Sequence, residues 1–372
     1  MTTTPPAEVG MALEDVDTPA LLVELDAFER NLERMAEAAR AAGVALRPHA
    51  KTHKCAIIAL RQMALGAVGV CTQKVSEAEA LVRGGVRDVL VSNEVVGRAK
   101  LARLAALAHE ARVAVCVDDA RNVADLNEAA AAAKASLEVL VEIDVGAHRC
   151  GVAPGEAALA LAQQVAAAPM LRFSGLQAYQ GRAQHVRDYA ERKAAIDAAA
   201  ALARDTAALL ERNGLACPRV TGGGSGTHAF EAASGVYTEL QAGSYVFMDA
   251  DYARNRGQNG GPWIEFEQSL FVYTTVMSTP RAGTAVVDAG LKASSVDSGL
   301  PEVHERPGVR YVSASDEHGK LALEDAELEL GEKLRLVPGH CDPTVNLYDW
   351  YVCVRDNRVE ALWPIVGRGA VA

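Results

Sequence analysis

The sequence predicts an α/β protein, in which a (β/α)8 TIM-like barrel is followed by a second, mostly β, C-terminal domain. Three observations lead to this prediction. From Gly43 onward, short apolar runs alternate with stretches that have helical spacing. Eight such runs occur over roughly two hundred residues, which is the size and rhythm of a closed barrel. After about Asp251 the pattern changes to short β-rich runs punctuated by Gly, Pro and Asp.

The first predicted element is a strand at Thr18–Glu24. An amphipathic helix follows it, with Phe28, Leu32 and Met35 on one face. The barrel strands are predicted at Val44–His49, Val68–Gln73, Val89–Asn93, Val113–Asp118, Leu137–Gly146, Leu171–Tyr179, Arg219–Gly222 and Glu239–Phe247. Helical stretches separate all of these strands except the last pair.

The later β-rich runs predict a separate domain. Its strands are predicted at Ile264–Met277, Ala285–Asp288, Val309–Ser313, Lys333–Leu336, Trp350–Arg355 and Arg358–Trp363. Because Thr18–Glu24 has no place among the eight barrel strands, we expect it to pair into this second domain. The predicted division is therefore a barrel at residues 26–251 and a β domain made of residues 1–25 and 252–372, with Arg254–Pro262 as the crossover segment.

Composition and charge exclude several classes of protein. The 372 residues contain 37 Lys and Arg against 48 Asp and Glu, a net charge of -11, which disfavours nucleic acid or an anionic membrane as partner. The N-terminal segment has neither the charged region nor the apolar core of a secretory signal, so we expect a cytoplasmic protein. The seven cysteines are scattered without C-x-x-C pairs, which favours reduced core residues.

The carboxyl ends of the predicted barrel strands carry polar side chains, and this is the edge where such barrels place their chemistry. Lys51 follows the first strand, where a lysine can act as a Schiff-base nucleophile. Taken alone, it would be an ordinary solvated lysine. The other strand ends carry Gln73, Asn93, Asp118, Asp144 with Arg149, Tyr179 with His185, Gly222–Thr227 and Gly243–Tyr245.

The loop T-G-G-G-S-G-T-H (Thr221–His228) follows the seventh predicted strand. It has no Walker lysine and lacks G-x-G-x-x-G spacing, so it is not a nucleotide fingerprint. A flexible turn is the alternative. Its position, together with Gly243 and Ser244 after strand eight, favours a phosphate cradle, because loops after strands seven and eight commonly bind phosphate in barrels. A lysine opposite such a cradle points to pyridoxal 5'-phosphate.

The segments R-P-H-A-K-T-H-K-C, C-T-Q-K-V-S-E-A-E, E-I-D-V-G-A-H-R-C-G, L-Q-A-Y-Q-G, E-L-Q-A-G-S-Y-V-F-M-D and P-G-H-C-D-P-T closely resemble the D-threonine aldolase and 3-hydroxy-D-aspartate aldolase family. The likeness covers nearly the whole chain and extends to the D-serine dehydratases, which share the alanine-racemase-like arrangement of barrel and β domain. It implies that Lys51 forms the imine with pyridoxal phosphate and that a homodimer completes each site. The cofactor-binding set is then expected to be Lys51, Gln73, Arg149, Tyr179, Thr221, Gly223, Gly224, Ser225, Gly226, Thr227, Gly243, Ser244 and Tyr245.

The segment P-G-H-C-D-P-T contains His340 and Asp342 one residue apart. On the residues alone, a polar turn explains this pattern at least as well as a metal site. The family resemblance implies a divalent ion at this pair, beside the cofactor. Mn²⁺ is the first expectation, with Mg²⁺, Co²⁺ and Zn²⁺ as alternatives. The dehydratases carry cysteine at the position of Asp342, so the aspartate favours the aldolase.

The resulting expectation is retro-aldol cleavage of a β-hydroxy-D-amino acid, D-threonine or 3-hydroxy-D-aspartate, to glycine and an aldehyde. His185 is the candidate general base, on the family likeness of Q-H at this point; the alternative is a surface histidine before the long helix. Arg182 could bind a second substrate carboxylate or face solvent. Two other functions stay open, a dehydratase that gives a 2-oxo acid and ammonia, and a non-catalytic pyridoxal-phosphate carrier.

Overall fold

The structure is a computed structural model, and it describes residues 4–372; residues 1–3 of the predicted β domain lie outside the described part. Eight parallel strands form one sheet in the order β2-β9-β8-β7-β6-β5-β4-β3. These strands are β2 (Ala45–Leu46), β3 (Val70–Thr72), β4 (Asp88–Glu94), β5 (Arg112–Val117), β6 (Leu137–Glu142), β7 (Leu171–Gln177), β8 (Val220–Gly222) and β9 (Glu239–Leu240). The predicted α/β barrel is confirmed.

Backbone hydrogen bonds join the two edge strands of this sheet. The N–H of Val68 donates to Leu46 O at 2.9 Å, and the N–H of Ala50 donates to Cys71 O at 2.8 Å. A parallel bridge also links His49 with Cys71. The segment after β2 therefore continues beside β3 although it is too irregular to extend the strand, and the sheet closes on itself.

Helices surround the sheet on its outer face. They are α2 (Ala56–Ala64), α3 (Val75–Arg83), α4 (Arg98–Leu107), α5 (Ala120–Ala133), α6 (Glu156–Ala167), α7 (Tyr189–Arg212) and α8 (His228–Ala233), with α1 (Leu25–Ala42) preceding the barrel and α9 (Ala250–Ala253) following it. Alternate strand residues face opposite ways. Leu90, Cys116 and Leu140 therefore pack in a small interior cluster, whereas Val89 and Val139 pack in the layer under the helices. None of the helices in residues 4–372 combines the length and apolarity needed to span a bilayer.

The sequence prediction was wrong at the end of the barrel. Strand eight was predicted to run to Phe247, but β9 ends at Leu240 and the chain turns into a 3-10 helix at Ser244–Val246. A Cβ on Gly243 would lie 2.6 Å from Thr52 Oγ1, so only glycine fits at this turn. The apolar residues that resemble a strand are instead buried at the domain junction. The short helix α8 between β8 and β9 was also not predicted.

The second sheet has nine strands, with a path β13-β14-β11-β10-β1-β16-β17 and with β15 pairing to β10 and β12. Its strands are β1 (Ala20–Glu24), β10 (Leu270–Arg281), β11 (Thr284–Val287), β12 (Glu302–Val303), β13 (Val309–Ala314), β14 (Gly319–Leu323), β15 (Lys333–Val337), β16 (Trp350–Arg355) and β17 (Arg358–Pro364). β1 pairs antiparallel with β10 and parallel with β16, so the first strand of the chain lies among the last ones. The sequence missed β12, β14 and the short helix α10 (Cys341–Val345).

An aromatic and aliphatic cluster joins the barrel to the β sheet. Phe28 of α1 lies 5.6 Å from Trp363 of β17, and Phe247 lies 5.5 Å from Tyr351 of β16, measured between ring centroids. The Tyr351 hydroxyl donates to His53 O at 2.7 Å. These contacts fix the β sheet against the barrel on the side where the chain leaves β2. We propose the domain division that the sequence predicts, with the barrel at residues 26–251.

Candidate active site

A cavity with an empty volume of about 480 Å³ opens at the carboxyl ends of the barrel strands. This volume lies in the range of small-molecule sites. Eight of the predicted site residues line it: Lys51, Gln73, Arg149, Tyr179, Gly224, Ser225, Gly243 and Ser244. The cavity therefore brings together residues that are up to 193 positions apart, from Lys51 to Ser244.

Lys51 reaches the second domain across this cavity. Its Nζ lies 3.0 Å from Oδ2 of Asp342, which belongs to helix α10. The Asp342 carboxylate raises the pKa of Lys51. Burial alone would raise the pKa of Asp342, but the charges of Lys51 and His340 outweigh it and hold that pKa well below its usual range. The two predicted centres, the lysine and the H-x-D pair, therefore meet in one site.

Two carboxylates position the start of α10. Oδ2 of Asp249 accepts the backbone N–H of Cys341 at 2.9 Å, and Oδ2 of Asp297 lies 2.8 Å from Nδ1 of His340. Burial opposes the charged form of His340, but the carboxylates of Asp342 and Asp297 outweigh it and raise the pKa. A carboxylate on one ring nitrogen fixes the imidazole and leaves the other nitrogen for a cation. The donor set of His340 Nε2 and the Asp342 carboxylate thus fits a divalent ion.

The glycine-rich segments bring bare backbone to the cavity. A Cβ on Gly224 would lie 2.4 Å from Gln184 Oε1, and a Cβ on Gly222 would lie 2.5 Å from Ala178 O. Gly224 and Gly243 line the cavity, so the backbone lies close to it at this end. Backbone groups of this kind bind phosphate oxygens. The lysine and the glycine cradle fit pyridoxal phosphate.

The structure does not bring five other predicted cofactor residues to the cavity wall: Thr221, Gly223, Gly226, Thr227 and Tyr245. The Thr221 hydroxyl donates to Glu239 at 3.0 Å, and the Thr227 hydroxyl donates to Glu231 at 2.8 Å. The Tyr245 ring is buried against Phe266, where its hydroxyl accepts from Gln62 at 3.0 Å. The side chains of Thr221, Thr227 and Tyr245 therefore stabilise the loops without lining the cavity.

His185 and Arg182 lie on a 3-10 helix, Gly181–His185, away from the wall that Lys51 occupies. The His185 side chain is 55% exposed, and its Nδ1 lies 2.6 Å from Oδ2 of Asp251. Arg182 is exposed. A general base at His185 therefore stays a prediction, as does a carboxylate-binding role for Arg182.

The sequence reasoning missed six residues that line the cavity: His49, Thr52, Ser92, Gln177, Gln241 and Tyr252. His49 is buried, and its Nε2 lies 3.0 Å from both Ser92 Oγ and Gln73 Nε2. Burial, and then the nearby Lys51, lower the pKa of His49 well below its usual value, so the imidazole is neutral. His49 precedes Lys51 by two residues and Gln177 precedes Tyr179 by two. This strand periodicity was the signal that could have identified both.

Residues 23–251 match the family described as "Alanine racemase, N-terminal domain", and residues 269–354 match the one described as "Putative serine dehydratase domain". The chain is 52% identical over 371 residues to 3-hydroxy-D-aspartate aldolase of Paracoccus denitrificans (strain Pd 1222), covering 98% of this chain and 95% of that protein. It is 29% identical to D-threo-3-hydroxyaspartate dehydratase of Delftia sp. (strain HT23), with 94% and 97% covered. The crystal structure of D-threonine aldolase from Filomicrobium marinum superposes with a TM-score of 0.96 at 54% identity, covering 99% of this chain and 100% of that one.

Proposed function

The chain belongs to the family that includes D-threonine aldolase and 3-hydroxy-D-aspartate aldolase, and we propose that it cleaves a β-hydroxy-D-amino acid to glycine and an aldehyde. The observation that carries this proposal is the 3.0 Å contact between Lys51 Nζ and Asp342 Oδ2. This contact supports the proposal, because the amine that would form the imine lies beside the carboxylate that would bind the cation. In the proposed retro-aldol reaction, the amine would hold the cofactor and the cation would polarise the β-hydroxyl.

Pyridoxal phosphate, when bound, supplies an electron sink for the breaking Cα–Cβ bond. Lys51 would hold it covalently, and the backbone of Gly224, Ser225 and Gly243 would bind its phosphate. Tyr179 and Arg149 would flank the cofactor. The guanidinium carbon of Arg149 lies 5.8 Å from the Tyr179 ring centroid. The imidazole of His49 is neutral, so it adds no second positive charge beside Lys51.

His340 and Asp342 would bind a divalent cation, which supplies Lewis-acid polarisation of a hydroxyl oxygen. In the structure, the ammonium of Lys51 is the positive partner of Asp342. A divalent cation there would take over the ion pair that Asp342 makes with Lys51. We expect Mn²⁺ first, because an imidazole and a hard carboxylate suit it, with Mg²⁺, Co²⁺ and Zn²⁺ as alternatives.

The proton of the substrate hydroxyl requires a base, for which we propose His185. Its Nδ1 faces Asp251, and a donated Nδ1–H leaves Nε2 with the lone pair that accepts a proton. Arg187 donates to Asp251 as well, so the carboxylate is held from two sides. The carboxylate orients His185 on the 3-10 helix beside Gln184, which supports the glycine loop.

The experiment that tests this function is a product assay with D-threonine and with 3-hydroxy-D-aspartate. Glycine with acetaldehyde or glyoxylate is the expected outcome, and the L isomers should be inert. A 2-oxo acid with ammonia would make the protein a dehydratase, as the relative at 29% identity is named. Absence of both products would favour a pyridoxal-phosphate carrier, which should also be indifferent to EDTA.

The same assay, run with both substrates at several concentrations, ranks them by kcat/KM and so decides the preferred side chain. We also propose a homodimer, on the family resemblance, and a cytoplasmic location, on the sequence pattern. Sedimentation at several protein concentrations tests the first of these.

A further inference from the structure

A second group of acidic and thiol side chains lies at the same rim of the barrel, and none of its members has a role in the proposed reaction. Glu94 ends β4, Asp118 follows β5, and Cys150 lies in the loop after β6. One ligand atom from each of these residues lies within 4.8 Å of the other two. This spacing is compatible with a single metal ion.

The backbone builds this cluster. The loop after β6 folds back on its own strand, since Val152 N–H donates to Glu142 O and Asp144 N–H donates to Val152 O, both at 2.9 Å. Gly151 has a φ of +101°, and a Cβ there would lie 2.7 Å from Asp144 N. Its N–H donates to Oδ2 of Asp118 at 3.0 Å. Glycine at this position therefore places Cys150 between the ends of β4 and β5.

A fourth acidic side chain points into the cluster from β6. Glu142 is only 4% exposed, and its carboxyl group faces that of Glu94 closely enough to share a proton. Within residues 4–372, no N–H or hydroxyl group donates to Oε2 of Glu142 or to either carboxylate oxygen of Glu94, and all three atoms are shielded from solvent. Arg149 compensates weakly, because its Nη2 lies 3.9 Å from Oε1 of Glu142.

Buried carboxylates without donors are costly, since each loses hydration and like charges repel. Sharing one proton offsets part of that cost for Glu94 and Glu142, and Asp118 accepts one N–H, from Gly151. A divalent cation offsets it for all of them and uses the oxygen and sulfur donors at once. A thiolate with carboxylates suits zinc better than magnesium or calcium, which prefer oxygen alone.

We propose that Glu94, Asp118 and Cys150 form a second divalent-cation site of the zinc type, separate from His340 and Asp342, with Glu142 behind Glu94. The site ties the ends of β4 and β5 to the loop of residues 143–152. That loop carries Arg149, which lines the active-site cavity. The second cation is therefore structural and positions Arg149.

The test uses the holoenzyme loaded with zinc and dialysed, with metal content and zinc-edge X-ray absorption as readouts that do not depend on activity. The wild type should keep a second equivalent of zinc and show a sulfur ligand at about 2.3 Å. Cys150→Ser should lose the sulfur signal. Cys217→Ser, a partly buried cysteine outside the cluster, should keep both the signal and the metal content of the wild type.

Two further variants separate this site from the proposed catalytic one. Glu94→Gln should lose one equivalent of zinc while the cofactor absorbance persists. This variant also tests the second site if Cys150→Ser fails to fold. Asp342→Asn should lose the other equivalent and keep the sulfur signal. A sulfur signal that is absent in the wild type, or that survives Cys150→Ser, would overturn the second site and leave the aldolase proposal untouched.

Discussion

The two sides of the candidate active site, here called its walls, are built in different ways. The barrel wall consists of strand ends and glycine turns, in which side chains such as His49 and Gln177 follow the inward-facing register of a closed sheet. The other wall, which meets Lys51 through Asp342, is a five-residue helix, α10. Its first residues are held by the Asp249 carboxylate, which accepts the Cys341 N–H, and by the Asp297 carboxylate beside His340. The barrel wall is set by regular structure and the other by individual carboxylates. The proposed roles divide along the same line, with the cofactor on the barrel and the cation on α10, so mutations should separate them.

The largest effect is expected at Lys51, which is the barrel wall's covalent anchor in this account. Lys51→Ala should abolish both covalent cofactor attachment and turnover. The measurement is borohydride reduction of the yellow protein, followed by peptide mapping of the pyridoxyl group. Lys54→Ala is the matched control, because Lys54 pairs with Glu77 instead of facing the cavity. A label on any lysine other than Lys51 would contradict the assignment of the barrel wall.

His185 lies outside the cavity lining, and its substitution tests whether proton transfer can be lost while the cofactor and the cation stay bound. His185→Ala should lower kcat by roughly 10² to 10⁴, the usual contribution of a general base, while the cofactor and the cation stay bound. A kcat within a few fold of the wild type would show that another group takes the hydroxyl proton, and His185 would then only pair with Asp251.

Asp297 supports the α10 wall without belonging to the cavity lining. Asp297→Asn should weaken cation binding by about 10- to 100-fold, because it removes the carboxylate that orients His340. Cofactor absorbance should not change. Metal titration of the holoenzyme measures the affinity, and Asp316→Asn, an exposed carboxylate of the same domain, is the control. Equal affinities in the two variants would mean that Asp297 does not orient the ligand.

The smallest effect concerns the support of the glycine loop. Burial raises the pKa of Glu231 from 4.5 to about 7. Between these values the unfolded chain is ionised and the folded protein is not, so this group's contribution to stability falls as pH rises from about 4.5 to 7. Glu231→Gln removes that penalty, and its unfolding free energy relative to the wild type should rise by at most about 3 kcal/mol between pH 4.5 and 8. Thermal midpoints at several pH values test this; exposed Glu37→Gln should show no such trend.

The contrast between the walls also explains what could be predicted from the sequence. The barrel strands follow from alternating apolar runs, and the lysine and glycine loops follow from their positions at strand ends. The end of β9 did not follow, because the buried residues Tyr245 and Phe247 at the domain junction have the composition of a strand. The contact between Lys51 and Asp342 joins positions far apart in the chain, and no local pattern encodes it. The family resemblance, not periodicity, pointed to His340 and Asp342.

Asp342 provides the most direct test of the central claim, that the barrel wall holds the cofactor and α10 holds the cation for the reaction. The measurement is a single one, in which Asp342→Asn is purified with cofactor, and its absorbance, metal content and glycine production are recorded together. The account predicts a yellow protein in which borohydride still labels Lys51, one cation equivalent lost and glycine production abolished. Loss of the cofactor together with the cation, or full glycine production without that cation, would contradict it.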